Sequence, residues 1–211
     1  MPELPMFPLG SVLFPGMPLA LRVFEERYLK MMGHVLDEQV PHFGVVLIER
    51  GFEVGGGDHR FGVGTVAEVL QVEAPDGPLA VVARGGRRFQ VTTWVSEEPF
   101  PLAEVEFLPD LEWDENLDTD LSTFEQMVRS ILDELTLEGH GAWPSTIELA
   151  DDPMLKLWQL VGISPIGTLD HQDLLVVESS TELLTSATSI VGDAWKDYQE
   201  SKKLGGGDTA A

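Results

Sequence analysis

Up to residue 109, apolar residues come in short runs broken by glycine and proline; beyond it they recur every three or four positions. The first pattern predicts strands and tight turns, the second amphipathic helices. Strands are expected over 18–23, 43–48, 62–72, 79–83, 88–94 and 102–108. In the last of these, Ala103, Val105 and Phe107 alternate with Glu104 and Glu106. One helix interrupts the strands: Phe24, Tyr28, Met31, Met32, Val35 and Leu36 fall on one face over 24–38, and Pro41 closes it. Gly85-Gly86 and Ala74-Pro75-Asp76-Gly77 read as turns, and 51–59, with its three consecutive glycines, as a mobile loop. Six or seven short strands with tight turns suggest a small β-barrel with one helix.

Past Pro109 the stripes are helical. Leu121, Phe124, Val128, Ile131, Leu132 and Leu135 form one, with Ser122 and Glu125 spaced as a capping box. Asp152-Pro153 opens a second helix to about Val161, cap followed by proline. Asp170 opens a short third. Leu183, Leu184, Ala187, Ile190, Val191, Ala194, Trp195 and Tyr198 mark the last. The expected organisation is α+β: a barrel lobe over 1–109, an acidic linker over 110–120 with six acidic residues in eleven, an all-helical lobe over 121–202 and a disordered tail over 203–211.

The first nineteen residues form the most distinctive stretch. Pro5, Pro8, Pro15 and Pro18 argue against helix and against a central strand. They leave a short apolar opening strand, Leu4 to Leu9, and a Pro15-Gly16 turn.

Charge changes the picture next. The chain has 36 acidic and 13 basic residues, a net −23, and no cysteine. Residues 1–105 carry 14 acidic and 8 basic residues; 106–211 carry 22 and 5. Phosphate backbones and anionic lipid need a basic surface, so nucleic acid and membrane are poor partners. Without cysteine there is no disulfide, thiol nucleophile or thiolate metal site. The N-terminus lacks a signal-peptide pattern and no apolar run approaches the roughly 20 residues of a membrane span, so a cytoplasmic protein is expected.

Several pieces, in order, resemble the amino-terminal substrate-binding domain of Lon proteases. They are Leu4-Pro5-Met6-Phe7-Pro8-Leu9, Leu13-Phe14-Pro15-Gly16, Phe24-Glu25-Glu26-Arg27-Tyr28, Phe43-Gly44-Val45-Val46, Gly62-Val63-Gly64-Thr65-Val66-Ala67 and Gly86-Arg87-Arg88-Phe89. The match is good over 4–109 and loose over 150–200, where His171-Gln172-Asp173-Leu174-Leu175 is similar to a weaker family region. The resemblance implies a PUA-like pseudobarrel followed by a helical lobe. It also implies binding of unfolded or flexible protein segments in a groove between the lobes, and work beside a protease or chaperone. Lon proteases also have ATPase and proteolytic modules. This sequence has no Gly-x-x-x-x-Gly-Lys-Ser/Thr loop. A stand-alone form is therefore expected, ATP-independent, non-enzymatic and without cofactor: an adaptor or holdase.

For the binding surface, the turn Phe14, Pro15, Met17 offers an aromatic and an adaptable thioether; Phe24, Tyr28, Arg87 and Phe89 complete the candidate peptide-binding set. The alternative for the turn is that its side chains plug the barrel end. Arg27 beside Glu25 and Glu26 reads first as a structural ion pair. A rival function is a small-ligand or metal-binding regulatory protein, or a hydrolase using its acidic clusters. Its one patterned support is a calcium-loop-like spacing of Asp114, Asn116, Asp118, Asp120, Ser122 and Glu125. Against it, Thr119 stands where such a loop needs glycine.

Overall fold

A computed structural model of the chain describes residues 1–49, 60–74 and 77–205. The expected loop over 51–59, the Pro75-Asp76 turn and the end of the expected tail lie outside the described residues. The chain divides into two compact units, Met1–Asp110 and Leu111–Ala211.

Unit 1 contains β1 (Glu3–Leu9), β2 (Pro18–Val23), α1 (Glu26–Leu36), β3 (His42–Ile48), β4 (Arg60–Glu73), β5 (Leu79–Ser96) and β6 (Leu102–Phe107). These strands form one sheet in the order β2-β5-β4-β3-β1-β6. β5 also pairs with β6, so the pairing returns to a strand already used. It can do so because β5 is long. Leu79–Arg84 pairs with β2, and Phe89–Ser96 pairs with β6. Leu4, Met6, Val46, Val66, Phe89, Ala103 and Val105 pack together as its core. Burying one such side chain stabilises by roughly 2 kcal/mol.

The structure corrects three expectations here. Gly85-Gly86 is not a turn: β5 continues through it as one strand, with a register shift against β4 there. These glycines serve close approach instead. A Cβ on Gly85 would overlap the carbonyl oxygen of Phe14, and one on Gly86 would sit 2.9 Å from Glu68 Oε1. Second, β1 is not peripheral despite Pro5 and Pro8; it lies between β3 and β6. The prolines are accommodated because β1 pairs with β6 over Glu3–Pro5 and with β3 over Met6–Leu9. Neither half carries a full ladder on both edges, so each behaves as an edge strand does. Third, α1 is shorter than the stripe suggested. Tyr28, Met31, Met32 and Val35 are buried, but Phe24 precedes the helix and Leu36 at its end is exposed.

Unit 2 opens with a single 3₁₀ turn, Glu115–Leu117, and continues as α2 (Asp118–Leu137), α3 (Pro153–Ile163), α4 (Thr168–Leu175) and α5 (Ser180–Gly205). All six residues of the expected α2 stripe are buried. α2 ends in a Schellman motif: Gly139 has φ +79°, its N–H donates to Thr136 O, and His140 N–H donates to Leu135 O at 2.8 Å. Asp152 caps α3 by accepting from Leu155 N–H at 2.8 Å, with Pro153 in the first turn. α2 begins inside the segment expected as linker, so Ser122 and Glu125 are helix-interior residues and not a capping box. Ser122 Oγ donates back to Asp118 O, and Glu125 accepts from Arg129. Asp118 and Asp120 in the first turn suit the positive end of the helix dipole, which lets an acidic stretch start a helix. α5 likewise extends through Lys202 and Lys203, into the expected tail.

Candidate functional site

The Phe14-Pro15-Gly16-Met17 turn is closed by Met17 N–H donating to Phe14 O at 3.1 Å, with Gly16 at φ +75°. Proline at the second position and a positive-φ glycine at the third define a type II turn. Its backbone is clamped to β5: Gly16 N–H donates to Gly85 O, and Gly85 N–H donates to Met17 O. This clamp turns the two large side chains inward. Phe14 is 1% exposed and Met17 8%. Tyr28 and Phe89 are buried too. Four of the seven candidate peptide-binding residues therefore belong to the core of unit 1 and present no surface to a partner. Tyr28 stacks on Phe7 with centroids 4.0 Å apart, and Arg27 covers the ring while pairing with Glu25 at 3.1 Å.

The remaining three lie at the surface. Phe24 is 71% exposed, Pro15 is half-buried, and Arg87 is exposed with its guanidinium over Phe107. Its neighbour Arg88 turns inward, donating to Pro109 O at 3.3 Å. Burial lowers the Arg88 pKa, while Asp110 opposes that shift. The arginines thus divide, one outward and one inward, where β5 shifts register against β4.

The clearest concavity lies within unit 2, between α2 and α5, with a volume of about 370 Å³. Leu117, Phe124, Met127 and Leu184 make it apolar, and Asp120, Thr185, Thr188 and Ser189 form its polar part. It exists because of side-chain size. α2 presents Phe124 and Met127, whereas α5 presents hydroxyl residues between Leu184 and Ile190. Thr188 also folds its hydroxyl back to Leu184 O at 2.7 Å. Small residues opposite large ones leave the space unfilled. The reading from sequence missed these residues. The available signal was the change in α5 from Leu183-Leu184 to Thr185, Thr188 and Ser189 beside a stripe that otherwise continues.

Unit 2 is fastened at its other end by charge. Glu138 accepts from Lys202 and from Tyr198 Oη, the latter at 2.6 Å. These bonds lower the Glu138 carboxyl pKa and raise those of Lys202 and Tyr198. Within the unit, burial lowers the pKa of His171, opposed by its bond to Val161 O at 3.1 Å and by Asp170.

The calcium-like spacing does not form a loop. Asp114 accepts from Asn116 N–H and Nδ2, Asp118 accepts from Trp113 Nε1, and Glu125 pairs with Arg129 at 2.8 Å and Lys156 at 3.7 Å. Asp118, Asp120 and Glu125 stand on a helix, so their carboxylates cannot wrap one ion. Among the described residues no group of three or more His, Cys, Asp or Glu could hold a metal ion. Among them, too, no helix is long and apolar enough to cross a membrane.

Known proteins give the fold a context. A crystal structure of a Lon N-terminal domain protein from Xanthomonas campestris superposes with a TM-score of 0.56 at 25% identity, covering 85% of this chain and 92% of that one. The N-terminal domain of Mycobacterium avium complex Lon protease matches in fold with a TM-score of 0.65, covering 91% and 99% at 17% identity. In sequence, the chain is 34% identical over 135 residues to a Lon protease of Porphyromonas gingivalis, covering 62% of this chain and 15% of that protein. It is 26% identical over 208 residues to one from Bacillus thuringiensis, covering 95% and 26%. The chain thus spans only about a sixth to a quarter of the length of these proteases. The family described as the ATP-dependent protease La (LON) substrate-binding domain matches residues 3–193, and the chain belongs to that family.

Proposed function

We propose that this protein binds flexible polypeptide segments without cutting them, seating an apolar client side chain in the cleft between α2 and α5. One observation carries the reading: in a member of a substrate-binding family, an apolar concavity of about 370 Å³ opens between α2 and α5, with the half-buried Met127 facing it above the buried Leu117, Phe124 and Leu184. That is within the range of sites that take a whole side chain or small ligand. Met127 adapts to side chains of different shape, as a promiscuous reader requires. Phe24, Pro15 and Arg87 on unit 1 supply further exposed contacts. In this reading the protein is an adaptor or holdase that passes clients to a protease. The net charge of −23 favours protein over nucleic acid as partner.

The test is anisotropy of a labelled, unstructured peptide rich in Leu and Phe. Thr188→Trp fills the cleft from its polar side and should weaken binding at least tenfold while circular dichroism stays unchanged. Unaltered affinity in that variant and in Met127→Lys would reject the cleft as the site.

A further inference from the structure

Unit 1 has a groove of its own, of about 300 Å³, that the reading above does not use. It lies outside β1 and β6, beside α1 and the β5–β6 connection. Pro5, Leu102 and Phe100 wall it, and His34 rests on Phe100 with ring centroids 5.6 Å apart. Glu3, Glu38 and Glu98 stand around these apolar walls.

The carboxylates differ in what satisfies them. Glu38 has His42 at 3.4 Å. Neither Glu3 nor Glu98 has a cationic partner among the described residues. Glu3 also faces Glu104 directly across the β1–β6 pair. Like charges opposite one another on a sheet face destabilise it. Nothing described in the protein relieves this pair, although arginines elsewhere in the unit are matched to Glu25, Glu68 and Glu97. The local arrangement is a narrow apolar trough with uncompensated negative charge.

From this we infer that the groove takes a lysine or arginine side chain of a bound polypeptide segment. The aliphatic stem lies along Pro5 and Leu102, and the cationic head sits between Glu3 and Glu98 beside the Phe100 ring. A long basic side chain is the occupant whose two ends match both surfaces: methylenes against apolar walls, charge toward carboxylates and an aromatic face. A bare metal ion matches only the second, and no ligand cluster for one is found among the described residues. The inference rests on polypeptide binding and adds to it a preference for basic segments, located on unit 1 and not on the more acidic unit 2.

The experiment uses the full chain and two long unstructured peptides of the same Leu- and Phe-rich sequence, one with lysines distributed along it and one with glutamines there instead. The lysine peptide should bind about fivefold tighter at low salt, as expected for one or two partly exposed ion pairs. Added salt should erode the gain. Zero-length carbodiimide crosslinks, mapped by mass spectrometry, should join peptide lysines to Glu3 or Glu98. Glu3→Gln with Glu98→Gln should remove the gain while leaving the glutamine peptide's affinity in place. A gain that survives in the double variant, or crosslinks confined to unit 2, overturns the inference. If the glutamine peptide binds and lysine adds nothing, this inference alone falls. If neither peptide binds, the polypeptide-binding reading falls and takes the inference with it.

Discussion

The two units solve the problem of a core in opposite ways. Unit 1 is built from distant pairings, such as β1 with β3 and β5 with three partners, and it is packed until backbone meets backbone at Gly85. Unit 2 is built from helices with locally satisfied backbones, and side-chain size alone decides how well they fit. Its stripe on α2 is fully buried, yet a cleft remains beside it where α5 turns to Thr and Ser. Charge follows the same division: Met1–Asp110 has 16 acidic and 8 basic residues, and Leu111–Ala211 has 20 and 5. The lesson is that exposure of an apolar binding surface comes from imperfect packing. A helical unit tolerates such imperfection locally, because removing one contact breaks no hydrogen-bond ladder. Unit 1 has no such slack at its turn, so Phe14 and Met17 were drawn inside.

Phe124→Ala should destabilise unit 2 the most, by about 3–5 kcal/mol, because a fully buried ring leaves a cavity. Urea titration followed by circular dichroism would measure it. If the loss is under about 1 kcal/mol, unit 2 is looser than the packing shows. Gly85→Ala should cost about 3 kcal/mol, since one methyl meets the Phe14 carbonyl and β5 must shift. Its counterpart, Thr188→Leu, also adds one net heavy atom, but at the cleft, and should stay within about 0.5 kcal/mol of the parent. Equal costs for these two would erase the contrast between a strand packed against the turn backbone and a helix pair with room between its side chains. Asp152→Ala should lose about 1 kcal/mol, the usual worth of an N-cap, visible as a lower melting temperature.

The smallest effect is a pH slope. His171 has its folded pKa held below the ordinary 6.5 by burial. The unfolded chain therefore takes up a proton first as the pH drops. The stability this histidine provides is full above about 6.5 and declines below it, towards the lower folded pKa. His171→Gln should flatten that part of the stability-versus-pH curve; an unchanged slope assigns it to other groups.

Much of the architecture was readable from residue order. The α2 stripe, the Asp152-Pro153 cap and the alternation in β6 are local signals, and the structure has each of them. The Lon-like segments carried the family for the same reason: they are short runs whose identity survives without knowledge of contacts. What failed were inferences from local residues to non-local outcomes. Pro5 and Pro8 suggested an outlying strand, yet β1 pairs on both sides by dividing its length. Gly85-Gly86 suggested a turn, yet the glycines admit the Phe14 backbone. The candidate site suffered most. An aromatic-methionine-proline turn looks the same in sequence whether its side chains face solvent or core. The two hydrogen bonds to Gly85 decide that question.

Sequence alone determined the α+β order of elements, the helical stripes and the acidic balance, because periodicity and charge are properties of neighbouring residues. Tertiary structure decided which apolar residues remain outside, where the cleft opens and which carboxylates lack a partner. Those depend on residues far apart in the chain meeting in space, and burial is a property of the meeting, not of either residue.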